Sequence, residues 1–578
     1  MIFNLITQYF EKINKTDSRN EMALILYDLF EQTPVSDIQN LIYFCEGKIG
    51  PTYKGREINI GQATIISIVA RYLGQPSSTI KHKFQELGDL GLVVEQFKNV
   101  NKQATLFSRK LYFNDVYNTL KEITEITGKG AIEKKIKLFE SLIFNLDRIS
   151  VKYIVRFPIS FRLGFSDSTI IEALSYLDTS VDQKLAKKII SKEYNLVSDL
   201  GLIAKIIKKD GVSNLNKSII KFIPIKPALC ERAKSFEEIK ERLGENNKKF
   251  IVDSKIDGFR QQIHKFGDTV KIFSRNEEDI TSMFPNIVKK IKEIPKDFVI
   301  DCEAIAYDPI NKKYHDFQTT MQRRRKYGID EKSKELPLHL KVFDVLYYDS
   351  KSLVDIPYIE RRKILEEHFN KPPIIQPTEQ IITNSVDDLK KFFDSRISQG
   401  LEGIIAKSLD AGYSAGSRGF NWIKFKKSYD NIHDTIDGVI VGGFYGQGKR
   451  SDNGIGALLI GIFDSTQNKY YTIAKLGSGL TDDILEDLSK KLKDLEVIKK
   501  PSDLITNIDA DFYVAPKIVV EINFDGITRS SLHTVCYDQK TNQGLALRFP
   551  RFVRFRVDKS EIQTTTPEEV QRLYDLQI

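Results

Sequence analysis

Along residues 1–221, apolar positions recur every three to four residues, the interval of one helix face. The pattern is plainest over 21–30, 63–72 and 132–146. Segments rich in turn-forming residues, Gly74-Gln75-Pro76-Ser77-Ser78 and Gly128-Lys129-Gly130, separate the helices. This pattern predicts an all-α first domain over 1–221.

At Phe222-Ile223-Pro224-Ile225-Lys226-Pro227 two prolines mark a linker, and the period changes. Short β-type runs at 249–252, 298–307, 338–348 and 403–406 alternate with helical pieces, the texture of an α/β or α+β domain, read here as α+β over 222–428. A polar hinge follows at Lys426-Lys427-Ser428-Tyr429-Asp430. Beyond it, runs at 438–443, 457–463, 470–475 and 517–524 with Gly-rich turns predict a small β-barrel over 429–578. In 517–524, polar and apolar residues largely alternate, as on a strand with one buried face.

Composition narrows the class. At 578 residues the chain is long enough for several cores, and 41% hydrophobic with 29% charged residues fits globular protein, not a disordered tail. Lys plus Arg number 87 against 78 Asp plus Glu, a net charge of +9 that suits a polyanionic partner without requiring one. The four cysteines (Cys45, Cys230, Cys302, Cys536) are far apart, and the seven histidines form no HExxH, so a zinc module or disulfide framework is not expected and a reducing cytoplasm is. The N-terminus has no basic segment followed by a long apolar run, and no uncharged apolar stretch is long enough for a membrane span.

The candidate chemistry lies in several separated segments. The first is Asp253-Ser254-Lys255-Ile256-Asp257-Gly258-Phe259-Arg260, which alone could be an ordinary strand end and turn. Next comes Phe273-Ser274-Arg275-Asn276, then Phe298-Val299-Ile300-Asp301-Cys302-Glu303-Ala304. Residues two apart on a strand share a face, so Asp301 and Glu303 point together while Phe298, Ile300, Cys302 and Ala304 point into a core. Two acids on one face of a buried strand need a cation, a metal or a ligand, and a structural salt bridge would also suffice. Phe343, in Val342-Phe343-Asp344-Val345, is either core or a platform for a base. Leu401-Glu402-Gly403-Ile404-Ile405-Ala406-Lys407 adds another acid and another lysine. In Arg418-Gly419-Phe420-Asn421-Trp422-Ile423-Lys424-Phe425-Lys426, a strand would set Lys424 and Lys426 on the face of Trp422. Two such cations form either a solvated face or a site for an anion such as phosphate.

In this order and spacing the segments resemble the nucleotidyltransferase superfamily of DNA ligases, RNA ligases and mRNA capping enzymes. The chain is most similar to ATP-dependent DNA ligases of the archaeal and eukaryotic replicative type. Phe161-Arg162-Leu163-Gly164-Phe165-Ser166-Asp167 resembles a signature of their helical DNA-binding domain. Gly442-Gly443-Phe444-Tyr445-Gly446-Gln447-Gly448-Lys449-Arg450 resembles the opening of their OB domain, and residues 544–559, with Arg548-Phe549-Pro550-Arg551-Phe552, a later stretch of it.

The resemblance implies a multi-domain enzyme with a DNA-binding domain over 1–221, an adenylation domain over 222–428 and an OB-fold domain over 429–578. It implies that Lys255 is the nucleophile that carries AMP, and that Asp253, where the family usually has Glu, meets the adenine through its backbone or nearby contacts. Arg260 and Arg275 would hold ribose and phosphates, Glu303 the ribose or metal, Phe343 the adenine ring, and Glu402 the metal. Arg418, Lys424 and Lys426 would grip phosphates, and Arg548 and Arg551 would orient the pyrophosphate of ATP. ATP as AMP donor, Mg²⁺ (or Mn²⁺), nicked double-stranded DNA and a monomeric enzyme complete the expectation, with a sliding clamp left open as a partner and no membrane association. An RNA ligase or capping enzyme shares the central segments but leaves the helical N-terminal third and Arg548-Phe549-Pro550-Arg551 unexplained. A non-catalytic relative would be expected to lose Lys255, Glu303 or Glu402, and a NAD-dependent ligase would carry a four-cysteine zinc module.

Overall fold

The computed structural model describes residues 1–97, 111–159, 161, 163–215, 218–325, 327–370, 374–426, 435–446 and 454–575. By its internal contacts the chain forms two compact units. One comprises Met1–Asn59, Leu111–Phe139 and Phe165–Tyr429; the other comprises Ile60–Lys110, Glu140–Gly164 and Asp430–Ile578.

The N-terminal part is helical, as the periodicity predicts. The helices expected over 21–30, 63–72 and 132–146 are Arg19–Gln32, Gln62–Leu73 and Ala131–Phe144. Several start at a short acid or serine placed where the first backbone N–H groups lack helical partners. Asp182 accepts from the Leu185 N–H, Asp199 from Leu202, and Ser18 from Glu21. Asp199 does more: its two oxygens also accept from the Tyr43 and Tyr53 hydroxyls, each at 2.6 Å, which ties three helical segments to one carboxylate.

Two sheets carry the central part of the first unit. The first runs in the order Leu229–Arg232, Arg418–Lys426, Gly403–Ser408, Phe250–Lys255, Gln380–Thr383. The second runs Thr269–Ser274, Phe259–Phe266, Phe298–Asp308, Leu338–Tyr348, Lys351–Ser352, with short strands Lys313–Tyr314 and Ile375–Pro377 alongside. Phe250, Val252, Ile404, Ala406, Ile423 and Phe425 form the core on one side of the first sheet, with helices Phe236–Leu243 and Val386–Ser398 contributing Ile239, Leu389 and Phe393. The second sheet packs Ile263, Ile300, Cys302, Leu340 and Val345 against helix Pro285–Lys292. The predicted strand over 249–252 runs on to Lys255, through Asp253 and Lys255, because both polar side chains find partners on neighbouring strands.

The C-terminal part of the second unit is β-rich, with curled sheets. Strand Thr435–Tyr445 bends between Ile440 and Gly442, so its first half pairs with Val519–Asn523 and its second half with Phe512–Val514. Both halves also belong to the ladder with Ile455–Asp464, which in turn pairs with Lys469–Leu476. Inside sit Ile436, Leu458, Ile460, Ile473, Val520, Ile522 and Leu545, closed by Val570 of the last described helix, Pro567–Asp575. The strand expected over 517–524 is shorter, Val519–Asn523. No helix among the described residues is long and apolar enough to cross a membrane.

An ion pair is buried between helix Tyr358–His368 and strand Leu338–Tyr348 of the second sheet. Arg361 and Asp344 have no exposed side-chain surface, and the guanidinium meets the carboxylate through Nε at 2.8 Å and Nη2 at 3.0 Å. Removing one partner of such a pair strands the other in a low-dielectric interior. Arg361→Ala is therefore expected to lower the unfolding free energy of this part by about 3–5 kcal/mol, read as a shift of its denaturation midpoint. An unchanged midpoint would show that the pair is not holding the helix to the sheet.

Candidate active site

The antiparallel ladders bring the predicted residues together. Gly403 lies opposite Lys255 on one side and opposite Lys426 on the other, while Ile405 lies opposite Asp253 and Lys424. Lys255 and Lys426 therefore flank the strand that begins just after Glu402. The Glu402 carboxylate accepts from both ammonium groups, Oε2 from Lys255 and Oε1 from Lys426. Its backbone N–H donates to the Lys255 carbonyl at 3.0 Å, which fixes the start of the strand against the end of the next. Close approach requires Gly403: its φ is +154°, and a Cβ there would stand 2.2 Å from the Phe425 carbonyl oxygen.

Strand Arg418–Lys426 alternates as its sequence suggests. Ile423 and Phe425 enter the core, and Trp422, Lys424 and Lys426 occupy the opposite face. The Lys424 ammonium is held below the usual lysine range, by burial first and then by the positive charges of Lys255, Arg418 and Arg275, against an opposing contribution from the Cys230 thiol. Arg275, in the turn after Thr269–Ser274, and Arg418, at the start of its strand, are both exposed.

After Lys255 the chain leaves the first sheet for the second through Ile256-Asp257-Gly258. A Cβ at Gly258 would meet the Ala304 carbonyl oxygen at 2.3 Å, so only glycine lets this turn lie on the strand that carries Glu303. Arg260 pairs across with Glu303, and its guanidinium donates to Asp301 Oδ1 at 2.6 Å. Asp301, fully buried, also accepts from Gln262 Nε2 at 3.0 Å and from the Tyr413 hydroxyl at 2.7 Å. Of the two alternatives for the paired acids, Asp301 is thus the structural one. Glu303 differs: among the described residues its side-chain carboxyl has no hydrogen-bond or ion-pair partner. Burial pushes its carboxyl up to about 7, with Asp257 acting in the same direction and Lys255, Arg260 and Arg275 opposing. Cys302 faces the core and its thiol reaches the Gln261 carbonyl oxygen, as expected for the residue between them.

Phe343 stands edge-on to Trp422, ring centroids 6.2 Å apart at 79°, and is half-buried. Beneath them lies Lys407, fully buried, its ammonium 4.3 Å from the Trp422 ring centroid and 5.4 Å from that of Phe343. Lys407 pairs with Asp253 at 2.5 Å and donates to the Phe343 carbonyl oxygen and to the Tyr358 hydroxyl, each at 3.0 Å. Asp253 also meets Arg362 at 3.5 Å. The Asp253 carboxylate is therefore turned into this polar layer and held there by Lys407, Tyr358 and Arg362.

The sequence reading gave no role to Lys407, Tyr358, Arg361, Arg362 or Tyr413. The available signals were a lysine ending the apolar run Ile404-Ile405-Ala406 and adjacent arginines in a helix whose Leu365 is core. Arg548 and Arg551 belong to the second unit, on either side of a turn in which Phe549 has a φ of 53°. Arg548 lies over the Phe549 ring at 5.4 Å and Arg551 pairs with Asp525. Arg162, the end of the Gly442–Arg450 segment beyond Gly446, and the Tyr429-Asp430 hinge lie outside the described residues.

The Glu303 shift has a consequence for stability. An ordinary glutamate loses its proton near pH 4.3, whereas Glu303 in the fold keeps it to about 7, so the folded state binds more protons in that interval. Stability from this group is complete below the unfolded value and declines as pH rises toward 7. Glu303→Gln, which stays neutral, is expected to raise the melting temperature at pH 8 and to change it little at pH 4. Equal effects at both pH values would contradict the assignment.

Comparison with known proteins agrees with the geometry. Three family models match: DNA ligase N terminus over residues 2–175, ATP dependent DNA ligase domain over 227–426, and ATP dependent DNA ligase C terminal region over 451–559. The chain is 40% identical to a probable DNA ligase of Dictyoglomus thermophilum, over 99% of this chain and 97% of that one. It is 36% identical to the DNA ligase of Saccharolobus solfataricus, over 100% of this chain and 98% of that one. A solved structure named Pmar-Lig_Pre, 18% identical, shares the fold with a TM-score of 0.57 over 95% of this chain and 99% of that one. The chain belongs to the ATP-dependent DNA ligases.

Proposed function

We propose that the protein seals nicks in double-stranded DNA through a lysyl-AMP intermediate on Lys255, serving replication, repair and recombination. The observation that carries this reading is the single carboxylate, Glu402, shared by the Lys255 and Lys426 ammonium groups. An amine so held, beside Glu303, Arg260 and Lys424, has the surroundings that attack on a phosphorus requires.

In the first step Lys255 Nζ forms a bond to the α-phosphorus of ATP. The bond from that phosphorus to the bridging oxygen breaks, and pyrophosphate leaves with the electron pair. The attacking amine must shed a proton, and Glu402 Oε2, its hydrogen-bond partner, is placed to take it. Lys424, Lys426, Arg275 and Arg418 offset the charge that gathers on the phosphoryl oxygens, and Phe343 supports the base. AMP then passes to the 5′-phosphate of the nick, and the 3′-hydroxyl displaces it. Arg548 and Arg551 orient the pyrophosphate of ATP, and rotation about Tyr429-Asp430 exchanges the ATP-facing and DNA-facing poses of the OB domain. The domains are 1–221, 222–428 and 429–578, and the enzyme acts as a cytoplasmic monomer, with a sliding clamp as a candidate partner.

A divalent cation fits this donor set only in part. Glu303 supplies a hard oxygen without a protein partner, while Glu402 is engaged by two lysines, and among the described residues no group of three or more His, Cys, Asp or Glu is gathered to hold an ion. Mg²⁺, which binds through few protein carboxylates plus phosphate oxygens and water, suits such a site and would polarise the α-phosphate.

Incubation with α-labelled ATP followed by mapping of the labelled residue tests the reading. Label is expected on Lys255 and absent from Lys255→Ala; label on another residue would overturn it. Lys424→Ala is expected to slow labelling by about 10²–10³-fold, the cost of one preorganised contact to a developing charge, roughly 3–4 kcal/mol. A wild-type rate in that variant would remove Lys424 from the phosphate site. Nicked DNA against RNA ends, as second substrates, separates the ligase from an RNA ligase or capping enzyme.

A further inference from the structure

Helix Tyr358–His368 carries none of the short segments on which the resemblance was read, yet its first turn reaches beneath the proposed nucleotide site. The Tyr358 side chain is fully buried. Its hydroxyl oxygen stands 3.0 Å from Asp253 Oδ2, 3.0 Å from the Phe343 carbonyl oxygen and 3.0 Å from Lys407 Nζ. A lysine ammonium only donates and a phenol has a single proton, so this oxygen accepts from Lys407 and donates to one of the two acceptors. Three strands thus meet at one atom. One carries Lys255 two residues beyond Asp253, one carries the Phe343 ring, and one follows directly from Glu402 and ends near Lys407. The helix itself is pinned by the fully buried Arg361–Asp344 pair and by Arg362, whose Nη2 donates to the Thr378 carbonyl oxygen at 2.7 Å. Tyr358 consequently has little freedom to follow the strands; the strands must accommodate to it.

We propose that Tyr358 is a positioning residue for self-adenylation: its hydroxyl ties the Phe343 platform to the strand of Lys255, so that base and α-phosphorus are presented together. The proposal rests on the reading of Lys255 as nucleophile and Phe343 as base platform. Without the hydroxyl, Lys407 alone joins Asp253 to the Phe343 carbonyl, and the ring loses a fixed relation to the amine. The base meets that ring in the ground state and in the transition state alike, so the loss appears in the binding of ATP and not in the rate at saturation.

The test uses the full chain with Tyr358→Phe and the rate of enzyme-AMP formation across a range of ATP concentrations. The half-saturating ATP concentration is expected to rise about tenfold, with the saturating rate within about twofold of wild type, as for loss of one buried hydrogen bond that serves uniform binding. A misfolded fraction lowers the amplitude of labelling and leaves the half-saturating concentration unmoved, so a purely structural role is distinguishable. Inhibition by inorganic tripolyphosphate, which has phosphates and no base, is expected to be unchanged. An unaltered half-saturating ATP concentration, a fall confined to the saturating rate, or an equal loss of tripolyphosphate binding would each overturn the proposal. If Tyr358→Phe does not fold, Asp253→Asn weakens the same node from its other side; a rise in the half-saturating ATP concentration supports the proposal and no change overturns it. Absence of label from Lys255 in the wild-type protein would instead sink the underlying reading, so the two failures are separable.

Discussion

One carboxylate between two ammonium groups sets the terms for the rest of the site. Lys255 and Lys426 sit on strands either side of the one that begins after Glu402, close enough that their charges would repel without it. Glu402 cancels one of the two charges. Lys424, Arg275 and Arg418 remain, with Arg260 already committed to Asp301. The result is a cluster with surplus positive charge built around one shared carboxylate. A polyphosphate matches that surplus. The two glycines nearby serve the same constraint, because side chains at 258 or 403 would force apart the backbones that bring these charges within reach.

Under this surface the protein holds a second polar layer that contacts no solvent. Asp253 with Lys407, and Asp344 with Arg361, place four charges where burial disfavours them, and each persists because its partners are complete. Lys407 gains a further partner in the electron-rich faces of Trp422 and Tyr358. The layer supplies rigidity and not recognition. It fixes where three strands end, and the groups above inherit their positions from it. Elsewhere in the second sheet His264, buried and hydrogen-bonded to Gln262, has its imidazole pushed down to about 3, by burial first and then by Arg260.

Much of this was legible in the amino-acid order, and the reason is periodicity. Alternation along 298–304 separates Asp301 and Glu303 from the core residues between them, and alternation along 422–426 puts Lys424 and Lys426 on one face. What alternation does not carry is which acid is spent on structure. Asp301 and Glu303 look equivalent on a strand; only the approach of Arg260, Gln262 and Tyr413 to Asp301 tells them apart. The same limit hid Tyr358 and Arg361. They sit on a helix with an ordinary pattern, and their partners lie on strands distant in the chain. The β-type run 249–252 stops short of strand Phe250–Lys255, whose last residues are polar; polarity in a strand is tolerated when the neighbours are charged in the opposite sense.

Lys255 lies at the seam between two sheets, the last residue of one before the chain crosses to the other. Its surroundings are divided accordingly: Glu402, Lys424 and Lys426 belong to the first sheet, Glu303, Arg260 and Phe343 to the second. The spacing of the two groups is therefore not a local property but a reading of how the sheets pack, through Phe266, Val299, Leu346 and Trp422. Substitutions at Phe266, Val299 and Leu346, which carry no charge, would alter that spacing the way a shim adjusts the gap of a vise. Selection for a faster or a cooler-running enzyme has that dial available without altering any charged residue.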